Sequence, residues 1–216
     1  MAITNFSATF NLMNEKKKSR SELKREAILC AARQAFQEVG VQNTSMDKLA
    51  ALANVSKRTV YNHFDSKEAL VMELLAVLWQ SSITADALEQ LAELPLEDQL
   101  TSLLYQEIAV FSTHDYLDMA KVAVGHFLFK PDALQEQMAN ISKEHTALHT
   151  WLVHQSSKGT LRIDSVEKAR TQLHSLIKGE AFWPQLIGAC SPIGEEEGQQ
   201  LARNTAQLFL SHYQKR

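Results

Sequence analysis

The 216-residue chain is 45% hydrophobic, carries a formal charge of −3, and holds only seven Gly and four Pro. It is long enough to bury one or two cores, and so few turn formers argue for a helical protein. Two distant cysteines, Cys30 and Cys190, exclude a disulfide framework, and no apolar run approaches the ~20 residues of a membrane span. The thiols read as reduced, in a cytoplasmic protein. Charge is divided unevenly: residues 1–67 carry eleven Lys/Arg against six Asp/Glu, and residues 68–216 carry eleven against nineteen. A basic N-terminal part on an acidic body suits a polyanion-binding head.

Residues 1–18 lack periodicity and end in Lys16-Lys17-Lys18, with Arg20 close behind. They predict a flexible arm, either a solvated tail or one that touches phosphates or a minor groove. Their basic cluster follows the weakly apolar stretch, the reverse of a secretory signal. Ser19 with Glu22 three residues on is a capping box that opens the first helix. Ile28, Ala32, Ala35, Phe36 and Val39 form its apolar stripe, and Gly40 stops it. Cys30 lies on this helix and reads as buried packing, not a redox sensor.

The stretch from Thr44 to Lys67 predicts two short helices joined by a tight turn. Met46, Leu49, Ala50 and Ala53 recur at helical spacing. Thr44 and Asp47 resemble a capping box that would start a helix at Ser45 or Met46. Asn54 tolerates the left-handed conformation a turn needs, and Ser56 can cap the next helix. In that second helix Val60 and Phe64 would anchor inward, and Lys57, Arg58, Tyr61 and Asn62 would share the opposite face. Ser56 to Phe64 contains no acid, unlike an ordinary solvated helix. Lys and Arg reach phosphates or guanine edges, Asn pairs with adenine, and a Tyr hydroxyl bonds phosphate. The plain alternative is a short polar helix connecting larger elements.

The run Arg25 to Leu70, with AARQAFQEVGVQNTSMDKLAALANVSKRTVYNHFDSKEAL at its heart, resembles the DNA-binding domain of the TetR family. The matching features are the Phe36 to Gly40 helix end, Thr44-Ser45, Leu49-Ala50 to Val55-Ser56, Thr59 to Phe64, and Lys67 to Leu70. Asn62 occupies a variable position, and Arg58 stands where members often carry a small residue. The resemblance implies a homodimeric transcription regulator with a ligand-sensing C-terminal domain. It extends the DNA-binding candidates to Thr44, Ser45 and Thr59, with His63 and Lys67 as phosphate contacts.

Beyond it, Asp65 or Ser66 should cap a long helix with Leu70, Leu74 and Leu78 at i+4, reaching about Ala87. The resemblance makes this the element that carries allosteric movement. The body reads as amphipathic helices: Leu96 to Ser112 after Pro95, Asp115 to Phe129, and a long one from Pro131 to Ser157. Gly159 to Asp164 is a loop; Asp164 or Ser165 caps a helix to about Leu186, and Glu195 to His212 forms the last. Leu173, Leu176, Ile177 and Ala181, then Leu201, Leu208 and Phe209, form apolar stripes. The resemblance makes these last two helices a four-helix dimer interface.

The fold expected is all-α: an arm at 1–18, a three-helix DNA-binding head at 19–66, and a ligand-binding and dimerisation body at 67–216. Large rings and thioethers in the body suit either a plain core or an apolar pocket. Phe111, Met119, Phe127 and Trp151 are the candidates for ligand lining. His145 and His149 have a metal-capable i, i+4 spacing, but a third ligand would have to come from elsewhere, such as His126 or His174. No metal and no cofactor is expected. The Glu195-Glu196-Glu197 run reads as a helix-start cap. Without a nucleophile elbow, phosphate-cradling loop or HExxH, the chain does not read as an enzyme. The reading is a ligand-released repressor of a near-palindromic operator; the alternative is a regulator with a filled body, controlled by a protein partner or by its own abundance.

Overall fold

A computed structural model describes residues 19–80, 91–128 and 146–215, with the side chains of 78–80 and Phe127 outside the description. Among these residues it is helical, with one isolated antiparallel bridge, Leu161 to Gln214. Two compact units divide within one helix, Met1–Leu74 and Leu75–Arg216. The arm at 1–18, the stretch to Ala87 and the segment from Pro131 to His145 lie outside the described residues.

In the first unit, α1 (Arg20–Val39) opens as the sequence predicts. The Glu22 amide donates to Ser19 Oγ at 3.2 Å, and the Ser19 amide donates to Glu22 Oε2 at 2.7 Å. It ends at Gly40, whose φ of 80° is open only to a residue without Cβ strain. Next come α2 (Met46–Leu52), α3 (Lys57–His63) and α4 (Lys67–Gln80). Ile28, Ala32 and Phe36 of α1, Leu49 of α2, Val60 of α3, Phe64, and Leu70 of α4 form the core of this unit. Burying each large apolar side chain contributes roughly 1.5–3 kcal/mol. Two expectations for α1 are corrected. Val39 is exposed at the helix end, and Cys30 is exposed because it falls on the polar side, between buried Leu29 and Ala31.

The second unit holds α5 (Leu96–Phe111), α6 (His114–Phe127), α7 (Ala147–Ser157), α8 (Val166–Ala181), α9 (Trp183–Leu186) and α10 (Glu195–Tyr213). α10 packs along α5. Gly198 permits the approach, since a Cβ there would meet Ile108 Cγ2 at 3.3 Å and the Tyr105 ring at 3.4 Å. α8 packs against α5, α7 and α10, and α9 against α6. Two helices expected to be long are interrupted. Thr146 is extended and caps α7, its hydroxyl accepting from the His149 amide, so no continuous helix runs to Ser157. α8 stops at Ala181 because Pro184 has no N–H to donate to Glu180, and the chain restarts with Pro184 in the first turn of α9. The last helix matches its expected span, and its acids cap it: the Gly194 amide donates to Glu197 Oε2 at 3.1 Å.

The body core is apolar with a few buried polar groups. Trp151 Nε1 donates to Gln99 Oε1 at 2.8 Å, and Gln99 Nε2 donates to the Leu94 carbonyl at 2.7 Å. Buried Glu107 faces His174 Nε2 at 3.0 Å. The stripes expected on α8 and α10 are split between two faces. Leu173, Ile177, Ala181, Leu201 and Phe209 are buried, whereas Leu176 and Leu208 point to solvent.

Candidate nucleic-acid interface

The outward face of α3 follows from its packing. Val60 and Phe64, four residues apart, are buried and fix the helix by one side. Lys57, Arg58, Tyr61 and Asn62 are consequently exposed on the other, with Thr59 and His63 half-buried at the flanks. Ser56 caps the helix, its hydroxyl accepting from the Thr59 amide at 3.1 Å and bonding the Thr59 hydroxyl at 2.8 Å. The turn before it rests on Asn54 at φ 52°, a conformation Asn tolerates, with the Val55 amide donating to the Ala50 carbonyl at 3.0 Å. This is the helix-turn-helix arrangement that the Thr44 to Phe64 spacing predicts. The His63 ring lies 6.5 Å from that of Phe64.

The start of α2 differs from expectation. Ser45, not Thr44, caps it, with the Ser45 hydroxyl accepting from the Lys48 amide at 3.2 Å. Thr44 is 2% exposed, and its hydroxyl donates to the Gly40 carbonyl at 2.9 Å. Of two adjacent hydroxyls, the one facing the end of α1 satisfies that turn and the other is left to cap. Asp47, freed from capping, forms an ion pair with Lys57 at 2.8 Å across the two helices. Its hydrogen bond first, and its charge second, hold the Lys57 ammonium above the usual lysine range. Sequence spacing gave no sign of this pair, whose members lie ten residues apart.

Lys67 is the other surprise. Its ammonium donates to the Val41 carbonyl at 2.8 Å and the Thr44 carbonyl at 3.1 Å. Nearby, Ser66 caps α4 by accepting from the Ala69 amide at 3.1 Å. Arg25 of α1 pairs with Glu73 of α4 at 2.8 Å and lies 5.0 Å from the centre of the Phe64 ring.

Of the body candidates, Phe111, Met119 and Trp151 are buried, and the side chain of Phe127 lies outside the description. Phe111, Tyr116 and Phe182 form an aromatic cluster with ring centres 5.6–6.1 Å apart, and the Lys178 ammonium lies 5.3 Å from the Phe111 ring. Two surface grooves, of about 680 and 760 Å³, are lined by other residues, among them Glu97 and Gln207 in one and Glu180 and Asn204 in the other. Among the described residues no group of three metal-ligating side chains forms. His149 faces Glu167 and His174 faces Glu107, while His145 lies outside the described residues. No described helix is long and apolar enough to cross a membrane.

A capped two-helix turn whose second helix, free of acids, presents an exposed basic face on a packed three-helix base defines the helix-turn-helix class of DNA-binding regulators. Residues 28–74 match the family described as "Bacterial regulatory proteins, tetR family", and residues 98–215 match "AefR-like transcriptional repressor, C-terminal domain". The chain belongs to the TetR family of transcriptional regulators. It is similar to the crystal structure of a TetR family regulator from Pseudomonas syringae pv. tomato str. DC3000, at 35% identity and a TM-score of 0.64, covering 89% of this chain and 97% of that one. It also resembles the Flavonoid-responsive Regulator FrrA, at 27% identity and a TM-score of 0.57, covering 89% and 98%. Among curated relatives, "Uncharacterized HTH-type transcriptional regulator YhgD" of Bacillus subtilis is 32% identical over 42% of this chain and 48% of its own length. RutR of Escherichia coli K12 is 42% identical over 27% and 28%. The match thus spans less than half the length of these curated relatives.

Proposed function

We propose that this regulator is a homodimeric repressor that holds a near-palindromic operator through two α3 helices and is released by a small, largely apolar effector. The observation that carries the reading is the outward face of α3, where Lys57, Arg58, Tyr61 and Asn62 stand exposed with no acid on the helix. Arg58 is placed to reach a guanine edge and Asn62 an adenine, with Tyr61, His63, Thr59 and Ser45 on phosphates. Such phosphate contacts fix register and the base contacts choose the sequence. Exposed Leu176 and Leu208, on the last two long helices, supply an apolar surface for the second chain.

The body at residues 67–216 is the proposed ligand-binding and dimerisation domain, with Phe111, Met119, Phe127 and Trp151 lining the effector site. FrrA is named as flavonoid-responsive, and a response to a small molecule of similar bulk and apolarity fits these side chains. An effector acts only by binding the released state more tightly than the operator-bound one. The satisfied indole of Trp151, bonded to Gln99 within the core, favours the second reading of a filled body controlled by a protein partner or by abundance. Effector-dependent operator release separates the two.

Operator selection from random duplexes, followed by Arg58→Ala, tests the base-reading role. The variant should weaken operator binding by about 1–3 kcal/mol while leaving random-duplex affinity nearly unchanged. Equal weakening on every duplex would reduce Arg58 to a phosphate contact. Asp47→Asn should act in the opposite sense. Freed from its partner, Lys57 should tighten binding to any duplex by about two- to fivefold, as expected for one exposed ion pair. The ratio of operator to random binding should stay nearly constant, and an unchanged random-duplex affinity would show that Asp47 does not restrain Lys57.

A further inference from the structure

We propose that Lys67 is a positioning residue, not a phosphate contact: its ammonium pins the start of α4 to the turn between α1 and α2, and operator affinity depends on that clamp through the placement of α2 and α3. The proposal rests on the DNA-binding reading above and adds to it a residue that touches no DNA.

Lys67 is the first residue of α4. A cation there opposes the helix dipole, which favours anions at that end. The side chain instead leaves the helix and, half-buried, spans 26 and 23 residues of sequence to the Val41 and Thr44 carbonyls. Hydrogen bonds from a charged donor are among the stronger ones in a protein, and two from one nitrogen leave it little freedom to reach outward. The Val41 carbonyl also accepts from the Thr44 amide at 3.3 Å, which closes the turn that Gly40 opens. Thr44 is in turn locked by its hydroxyl to the Gly40 carbonyl at 2.9 Å.

The next residue, Ser45, caps α2, and α2 packs against α3. The Thr44 carbonyl therefore sits one residue from the pivot of the two-helix unit. A shift at the first residue of α4 is transmitted to α2 through one ammonium. Arg25, paired with Glu73 and stacked over Phe64, provides a second tie from α4 to α1 and the end of α3. Two ties about two helical turns apart hold α4 as a lever on the reading helix.

The test compares full-length wild type with Lys67→Met and Lys67→Gln on the selected operator across a salt series, well below the melting temperature of each variant. The Met variant should bind about 10-fold more weakly with its logarithmic salt slope unchanged, and the Gln variant, which keeps a donor, should recover part of the loss. A slope reduced by about 0.9 would instead make Lys67 a phosphate contact, and unchanged affinity would remove it from the interface altogether. Amide hydrogen exchange without DNA gives a second readout. Residues 44–48 should exchange faster in the Met variant than in wild type, and equal protection would overturn the clamp. If neither variant folds, the wild-type Lys67 ammonium resonance decides: it should keep its environment when operator is added, and a phosphate-dependent shift would contradict the proposal. Because exchange needs no duplex, failure of wild type to prefer any duplex would sink the operator reading while the clamp stood or fell by itself.

Discussion

Leu208→Asp is expected to convert the regulator into a monomer and to lower operator affinity by roughly a hundredfold or more, the loss that follows when a second linked contact is removed. Leu208 is 58% exposed on α10, and Leu176 is 38% exposed on the adjacent α8. Both are large apolar side chains on helices whose inner faces are already filled by Leu173, Ile177, Leu201 and Phe209. In a twofold interface any substitution acts twice, so two carboxylates would be buried without partners. Sedimentation of the purified variant checks the assembly, and operator titration checks the consequence. A variant that stays dimeric would place the interface elsewhere on the body.

Lys178→Met should raise stability at pH 7 by about 1–3 kcal/mol, an effect set by the burial of a charge. Burial is the largest influence on Lys178, and it pushes the ammonium from 10.5 down to about 8, against the attraction of Glu107 and helped by the repulsion of Arg170. Between about pH 8 and 10.5 the unfolded chain therefore binds more protons than the folded one, and stability rises with pH. Below pH 8 the cost of the half-buried cation is fully present. The Met variant should lose this rise, so its advantage shrinks towards pH 10.5. Glu107 forfeits one cation and keeps His174 at 3.0 Å, which places the gain toward the lower end of the range. Denaturant unfolding across pH checks it, and a less stable variant at pH 7 would make Lys178 the counter-ion Glu107 needs.

Local rules made the head legible. Ser19 and Glu22 formed their box, Asn54 took the left-handed turn, Ser56 capped α3, and the four-residue spacing of Val60 and Phe64 fixed which face looks outward. Each of these depends on neighbours within one or two helical turns. What spacing could not show depends on the third dimension. Thr44 and Ser45 carry similar hydroxyls, and only the direction of the α1 turn decides which of them caps. Lys57 finds Asp47, Lys67 finds two carbonyls in the turn between α1 and α2, and Glu107 finds His174, all through packing. Cys30 reads as buried because a small apolar residue one position off the buried stripe looks like a member of it, whereas it is exposed. The break before Pro184 was readable: a proline beyond the first turn of a helical pattern removes a hydrogen bond.

Mass measurement of the complex between the full-length chain and its selected duplex bears on the repressor reading more directly than any substitution. Two chains should occupy one near-palindromic site, with half-sites whose centres lie about 10 base pairs apart or a multiple of that. Selection that returns no preferred sequence, or a single chain saturating the duplex, would contradict it.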